Sequence, residues 1–251
     1  MTTDVLATRF RHIPKTARAL LFGTLLLVTT VIGAVLLGRI LDHIPFFVAF
    51  DTFFYEKINL GPHPGWLNAL VSPFNFNFLP WGGTFIPSFL YFVFAFGLIY
   101  IGIRHRKELL WALISLLLAI AIDAVLFKIT NAYVVRDRPF LHLPNNLIDS
   151  AKAIWQSWPT YPSGHVRDMA LYSTVLAGYA RELRWPFAIL TLWIVWTRIY
   201  LGAHYPTDAL AGWALGLLVG VAILFLIKPL RAHFLREQEE REQKRLNASI
   251  L

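Results

Sequence analysis

The sequence contains no cysteine. This excludes structural disulfides, thiolate metal sites and a cysteine nucleophile, so any catalysis rests on other side chains. Charge is scarce as well: Asp, Glu, Lys and Arg make up 15% of the 251 residues, against 57% hydrophobic residues. Soluble domains carry roughly 25% charged residues. No internal repeat and no low-complexity linker divides the chain, so 1–251 reads as a single domain. What is present in abundance is apolar sequence in blocks of about 20 residues, the length that spans a bilayer as a helix.

Six such blocks fall near 18–41, 83–103, 108–130, 166–181, 186–203 and 207–228. The expected fold class is therefore all-α, a polytopic bundle of six transmembrane helices. The first block follows Arg9, Arg11, Lys15 and Arg18 as a signal peptide would. Its apolar stretch is too long for one and lacks a clear small-residue cleavage site, which reads as an uncleaved anchor.

Orientation follows from basic residues at the span ends. Fifteen of the 23 Lys and Arg residues lie on one side: the four just named, Arg104, Arg106, Lys107, Arg181, Arg184, and six from Lys228 onward. The positive-inside rule makes that side cytoplasmic and places both termini there. The formal charge of +8 is thus explained by loop anchoring, and nucleic acid is not expected as a partner.

The outward segment 42–82 is rich in aromatics broken by Pro45, Pro62, Pro64, Pro73 and Pro80. Its pieces are too short to span, and aromatic rings favour the headgroup level, so it reads as interfacial, either an anchor or a part of substrate entry. The tail 230–251 pairs Glu237 with Arg241 and Glu240 with Lys244 at i,i+4, as a solvated cytoplasmic helix does.

Three outward segments within 128–208 carry polar groups at a density that packing in a membrane does not require. The first is Lys128 with Arg136, Asp137, Arg138 and Pro139. The second is Pro162-Ser163-Gly164-His165, and the third is Thr197-Arg198 followed by His204 and Asp208. In the second, Ser163 reads as an N-cap and Gly164 permits close backbone approach, so the free N–H groups of a helix start are available to an anion. His165 beside them is either polar filler or a proton donor to a leaving oxygen. In the third, His204 and Asp208 are four apart, so one helical turn brings the carboxylate towards the imidazole. That pairing either satisfies a buried histidine or activates a nucleophile. Arg138 and Arg198 near span ends either snorkel to headgroups or fork onto phosphate oxygens. Taken together, two histidines, a carboxylate, a helix N-terminus and several cations on one face of a bundle favour chemistry over these separate explanations.

The three segments resemble the signature of the type 2 phosphatidic acid phosphatase superfamily, which includes undecaprenyl pyrophosphate phosphatases, glucose-6-phosphatases, soluble acid phosphatases and vanadium haloperoxidases. Its pattern is Lys, six residues, Arg-Pro; then Pro-Ser-Gly-His; then Ser-Arg, five residues, His, three residues, Asp. The last two match without a spacing change, with Thr197 for Ser, and the likeness extends over about 123–212.

The resemblance implies that His204 attacks phosphorus, Asp208 orients it, and His165 acts as general acid and base. It further implies that Arg138, Arg198, Ser163 and the Gly164 backbone bind the phosphate oxygens. No cofactor or metal is implied, and the sequence offers no clear carboxylate cluster for one. In the first motif nine residues rather than six separate Lys128 from Arg138, and Asn131 stands at the strict position. Three extra helical residues shift a Cα by about 4.5 Å and about 60°; Lys128 is the preferred candidate for the missing charge and Arg136 the alternative.

The expected activity is that of a lipid phosphate or pyrophosphate phosphatase, with a phosphorylated lipid and the bilayer as partners and Trp155, Trp158 and Tyr161 against the lipid chain. Within the resemblance, the expected location is a bacterial inner membrane with the site on the periplasmic or extracellular face. Phosphotransfer to an acceptor other than water is an alternative. A non-catalytic lipid-binding or transport protein is another, disfavoured because binding phosphate needs cations and N–H donors but no nucleophile.

Overall fold

The computed structural model describes residues 14–71, 80–81, 84–85, 88–145 and 159–250. A helix overlaps each of the six apolar blocks, although the block at 83–103 also holds Thr84–Phe85 in a short strand and the helix in 166–181 ends at Ala177. These helices are α1 (Lys15–Ile40), α4 (Ser88–Arg104), α5 (Leu109–Tyr133), α6 (Gly164–Ala177), α7 (Arg184–Tyr200) and α8 (Pro206–Ile250). Two further helices, α2 (Pro45–Asn59) and α3 (Gly65–Val71), occupy the aromatic segment, and a two-residue antiparallel pair joins Pro80–Trp81 to Thr84–Phe85.

Three stretches, Lys15–His43, Arg106–Tyr133 and Pro206–Ala248, are long and apolar enough to cross a membrane. α4, α6 and α7 have 17, 14 and 17 residues, so at 1.5 Å per residue they are about 21 to 26 Å long. The exterior explains the composition. Leu21, Phe22, Leu25, Ile32 and Leu36 on α1, Leu117 and Ile120 on α5 and Ile189 and Leu192 on α7 are exposed, an apolar surface larger than a water-soluble monomer keeps.

α6 is the central helix, buried on almost every side. Its closest neighbour is α8, which presents Gly212, Gly216 and Gly220 to it at four-residue spacing. A Cβ at Gly216 would stand 2.3 Å from the Arg167 carbonyl oxygen, and one at Gly212 would stand 2.6 Å from that of Ser163. Only hydrogen fits there, and this close backbone approach is what small residues provide between membrane helices.

The polar segments gather at one end of this bundle and the ordinary loop charges at the other. At the second end, Arg231 on α8 pairs with Glu108, Lys228 donates to the Gly178 carbonyl at 2.6 Å, and His105 lies 3.3 Å from Glu182. The tail is a direct continuation of α8, which passes Pro229 without ending. α2, with 15 residues, is about 22 Å long and too short to span, in keeping with an interfacial segment. Its outward Phe46 and Phe53 are exposed while Asp51, Tyr55 and Asn59 face inward and are buried. Phe74, Phe76, Phe78, Arg9, Arg11, Trp155 and Trp158 lie outside the described residues.

Candidate active site

The turn between α7 and α8 sets the site. Gly202 adopts φ +68°, and a Cβ there would meet the Tyr55 hydroxyl at 2.7 Å, so glycine is required both for the left-handed turn and for the contact with α2. Asn59 donates from Nδ2 to the Tyr200 carbonyl at 2.8 Å and holds α2 against this turn.

His204 sits in the turn, 5% exposed. Its Nδ1 is 2.8 Å from the Thr160 carbonyl oxygen. A carbonyl only accepts, so the proton belongs on Nδ1 and the lone pair on Nε2. Nε2 faces Arg138, whose Nη1 is 3.5 Å away and also donates to the Ala203 carbonyl at 2.8 Å. Burial first, then Arg138, Arg198 and His165, hold this imidazole well below its usual value, so the neutral, nucleophilic form prevails at pH 7. Burial likewise pushes Arg138 down to about 10, against a smaller opposite pull from Asp208, which leaves the guanidinium charged at neutral pH.

Asp208, fully buried in the first turn of α8, reaches the imidazole through Thr160 rather than directly. The Thr160 hydroxyl donates to Oδ2 at 2.7 Å and lies 3.1 Å from His204 Nδ1, and the Tyr205 backbone N–H donates to the same oxygen at 3.0 Å. The other carboxylate oxygen takes a hydrogen bond from Arg136. Sequence spacing places Asp208 one turn from the histidine; the side chain that spans the gap comes from a different segment.

At the start of α6, Ser163 has the extended backbone of an N-cap, and its N–H donates to the Asp208 carbonyl at 3.1 Å. Its hydroxyl is buried and makes no hydrogen bond among the described residues. Gly164 faces open space. His165, half-buried, has no hydrogen-bond partner among the described residues and lies within Coulombic reach of Arg198 and Arg138. Arg198 is 1% exposed in α7. Two histidines, two arginines, a buried hydroxyl and a helix N-terminus thus converge on one space, which suits a tetrahedral anion.

Two expected phosphate ligands are placed elsewhere. Lys128 is exposed on α5, two residues from each of the buried Leu126 and Thr130, and therefore about 200° around the helix from the face that meets the bundle. Arg136 is buried behind Asp208, with Nε, Nη1 and Nη2 all on carboxylates, those of Asp42, Asp208 and Asp51. Asn131, at the strict motif position, is half-buried.

Thr160, Asp51, Asp42 and Thr207 were not expected from the sequence. A signal existed for Asp51, a single carboxylate within Phe46-Phe47-Val48-Ala49-Phe50-Asp51-Thr52-Phe53-Phe54; an acidic residue among aromatics at membrane depth needs a partner. Thr160 carries none beyond its place before the second motif.

Residues 108–231 match the model of the PAP2 superfamily. The chain is 29% identical over 136 residues to a phosphatidylglycerophosphatase B of Bacillus subtilis, covering 49% of this chain and 59% of that protein. To an undecaprenyl-diphosphatase of Bacillus subtilis it is 28% identical over 137 residues, covering 52% and 66%. The chain therefore spans less than two thirds of the length of these relatives. The crystal structure of a transmembrane PAP2 type phosphatidylglycerolphosphate phosphatase from Bacillus subtilis superposes with a TM-score of 0.54 at 21% identity, covering 88% of this chain and 98% of that one, a likeness of fold. The chain is an integral membrane protein and, over residues 108–231, which hold both histidines, Asp208 and all three arginines of the cluster, a member of the PAP2 superfamily.

Proposed function

We propose that this protein is a membrane-embedded phosphatase that hydrolyses a lipid phosphomonoester or pyrophosphate through a phosphohistidine at His204, without a metal. The observation that carries this reading is the Thr160 carbonyl on His204 Nδ1, which leaves the Nε2 lone pair facing Arg138. Nε2 attacks phosphorus and the bond to the leaving oxygen breaks, with His165 donating the proton that oxygen needs. His165 then takes a proton from water, whose oxygen attacks the phosphohistidine and releases phosphate. Arg138, Arg198, the Ser163 hydroxyl and the N–H groups at the start of α6 neutralise the equatorial oxygens, the work that metal ions do in other phosphoryl transfers. Lys128 has no part in this arrangement.

The substrate class rests on position. The site lies at one end of an apolar bundle, where a phosphate headgroup meets it while its chains stay in lipid, and the named relatives act on lipid-linked phosphates. The test is a phosphate-release panel on detergent-purified protein with phosphatidate, phosphatidylglycerophosphate, undecaprenyl pyrophosphate, lipid A and p-nitrophenyl phosphate. Release is expected from at least one lipid, to persist in EDTA, and to be inhibited by vanadate, whose five-coordinate form on His204 mimics the transition state. Loss of activity on chelation, restored by magnesium, would sink the metal-free mechanism.

The six-span topology with both termini cytoplasmic and the site outside belongs to the same reading, supported by the segregation of Arg104, Arg106, Lys107, Arg181, Arg184 and Lys228 to the end opposite the histidines. Because the chain has no cysteine, single replacements report cleanly. In intact cells, Leu141→Cys is expected to react with an impermeant maleimide and Leu246→Cys is not; both positions are exposed. Labelling of Leu246→Cys alone would invert the topology.

A further inference from the structure

We propose that Asp51 and Arg136 are positioning residues for catalysis, forming a clamp behind Asp208, and that α2 is thereby part of the catalytic apparatus although it lies outside the segment matched by the family model. This rests on the phosphatase reading above. Asp51 Oδ2 accepts from Arg136 Nη2 at 2.7 Å and from the Thr207 hydroxyl at 2.5 Å, and Oδ1 accepts from the Thr207 N–H at 2.8 Å. Arg136 Nη1 in turn donates to Thr207 Oγ1 at 2.9 Å and to Asp208. Its Nε donates to Asp42 at 2.8 Å, and its guanidinium lies 4.4 Å from the centre of the Tyr205 ring. The side chains of Arg136, Asp51 and Asp208 are 3%, 2% and 0% exposed.

Three carboxylates around one buried guanidinium is a poor device for stability, because the desolvation of buried ions offsets most of what their pairing returns. It is a good device for geometry. The planar fork of arginine holds three carboxylates in fixed directions, as a lysine does not. With one oxygen occupied by Arg136, Asp208 has the other left for Thr160 and the Tyr205 N–H, and through Thr160 it reaches His204. Asp51 fixes both the guanidinium and Thr207, the residue beside Asp208. Partners of this kind behind a catalytic group commonly alter activity 10- to 100-fold when removed.

The test uses the full chain in detergent with Asp51→Asn, Thr207→Val and Arg136→Lys, assayed on phosphatidate micelles and on p-nitrophenyl phosphate. Inorganic phosphate serves as a competitive probe of the anion site. Asp51→Asn and Arg136→Lys are expected to lower kcat about 10- to 100-fold on both substrates, while the inhibition constant for phosphate changes less than threefold. Thr207→Val, which keeps the shape and removes only the hydroxyl, is expected to lose about 3- to 10-fold in kcat and carries the test where the charge variants do not fold. Unchanged kcat in both Asp51→Asn and Thr207→Val would overturn the clamp. So would phosphate affinity falling in step with kcat, which would make Arg136 a phosphate ligand. Wild-type protein inactive on every substrate strikes the phosphatase reading instead; the clamp is then read from diethyl pyrocarbonate modification of His204, expected to speed at least threefold in Thr207→Val, and an unchanged rate overturns it.

Discussion

His204→Ala is expected to abolish both phosphate release and covalent labelling from a ³²P-labelled substrate, with a loss in kcat on the order of 10⁴- to 10⁶-fold, the scale seen when a nucleophile is removed from an enzyme that otherwise keeps its binding groups. That is about 5 to 8 kcal/mol of transition-state stabilisation. The expectation follows from what the other groups can do without it. In the proposed mechanism Arg138, Arg198 and the α6 N-terminus bind phosphate oxygens but have no lone pair to offer phosphorus, and His165 lies at the helix start rather than on the Thr160 carbonyl that fixes the tautomer of His204. Binding should therefore survive: phosphate or vanadate should still protect the His204→Ala protein, although without the covalent bond vanadate affinity should drop. His204→Gln is the stricter variant, because it keeps a polar group near Thr160 and still cannot form a stable phosphoenzyme. Acid-labile, base-stable label that persists in either variant would remove His204 from the nucleophile position.

Much of this site was legible because its signals are local. Pro162-Ser163-Gly164-His165 is a helix start by composition alone, and the structure begins α6 at Gly164. His204 and Asp208 stand four apart, but His204 precedes the first residue of α8, so no helical turn joins them and Thr160 makes the connection that the spacing had suggested would be direct. Apolar blocks of bilayer length became helices, although the block at 83–103 contains Pro87 and its helix begins only at Ser88, whereas the proline-broken segment 42–82 holds the shorter α2 and α3.

What was not legible is long-range. Arg136 and Asp51 are 85 residues apart, and Thr160 and Asp208 are 48 apart. No periodicity or motif announces such partners; they are set by how α2 and the loop before α6 pack around the α7–α8 turn. Arg136 shows the consequence. On the sequence it is one more cation near a phosphate motif, and only the three carboxylates around it turn it into a support. Lys128 shows the converse: proximity in sequence to Arg138 does not overcome the direction its helix imposes.

The second large effect separates the two histidines in time. In the proposed mechanism His204 acts before a phosphoenzyme exists, while His165 acts in forming it and again in destroying it. His165→Ala is accordingly expected to lower kcat by about 10²- to 10⁴-fold, the range for loss of a general acid–base group, or about 3 to 5 kcal/mol. The split between the two steps depends on the leaving group. An alkoxide such as that of phosphatidate needs the proton, so with it the first step should slow and little label should accumulate. p-Nitrophenolate departs readily without one, so with p-nitrophenyl phosphate the first step should survive while hydrolysis of the phosphohistidine lacks its base. The expected result is a burst of nitrophenol of up to one equivalent per site followed by slow turnover, with the label trapped on the peptide that contains His204. The geometry favours this outcome because His165 makes no hydrogen bond among the described residues, so its removal leaves the Thr160–His204–Asp208 connection intact. Equal losses on both substrates without a burst would mean that His165 serves phosphate binding rather than proton transfer, and label found on His165 in the wild-type protein would exchange the parts assigned to the two residues.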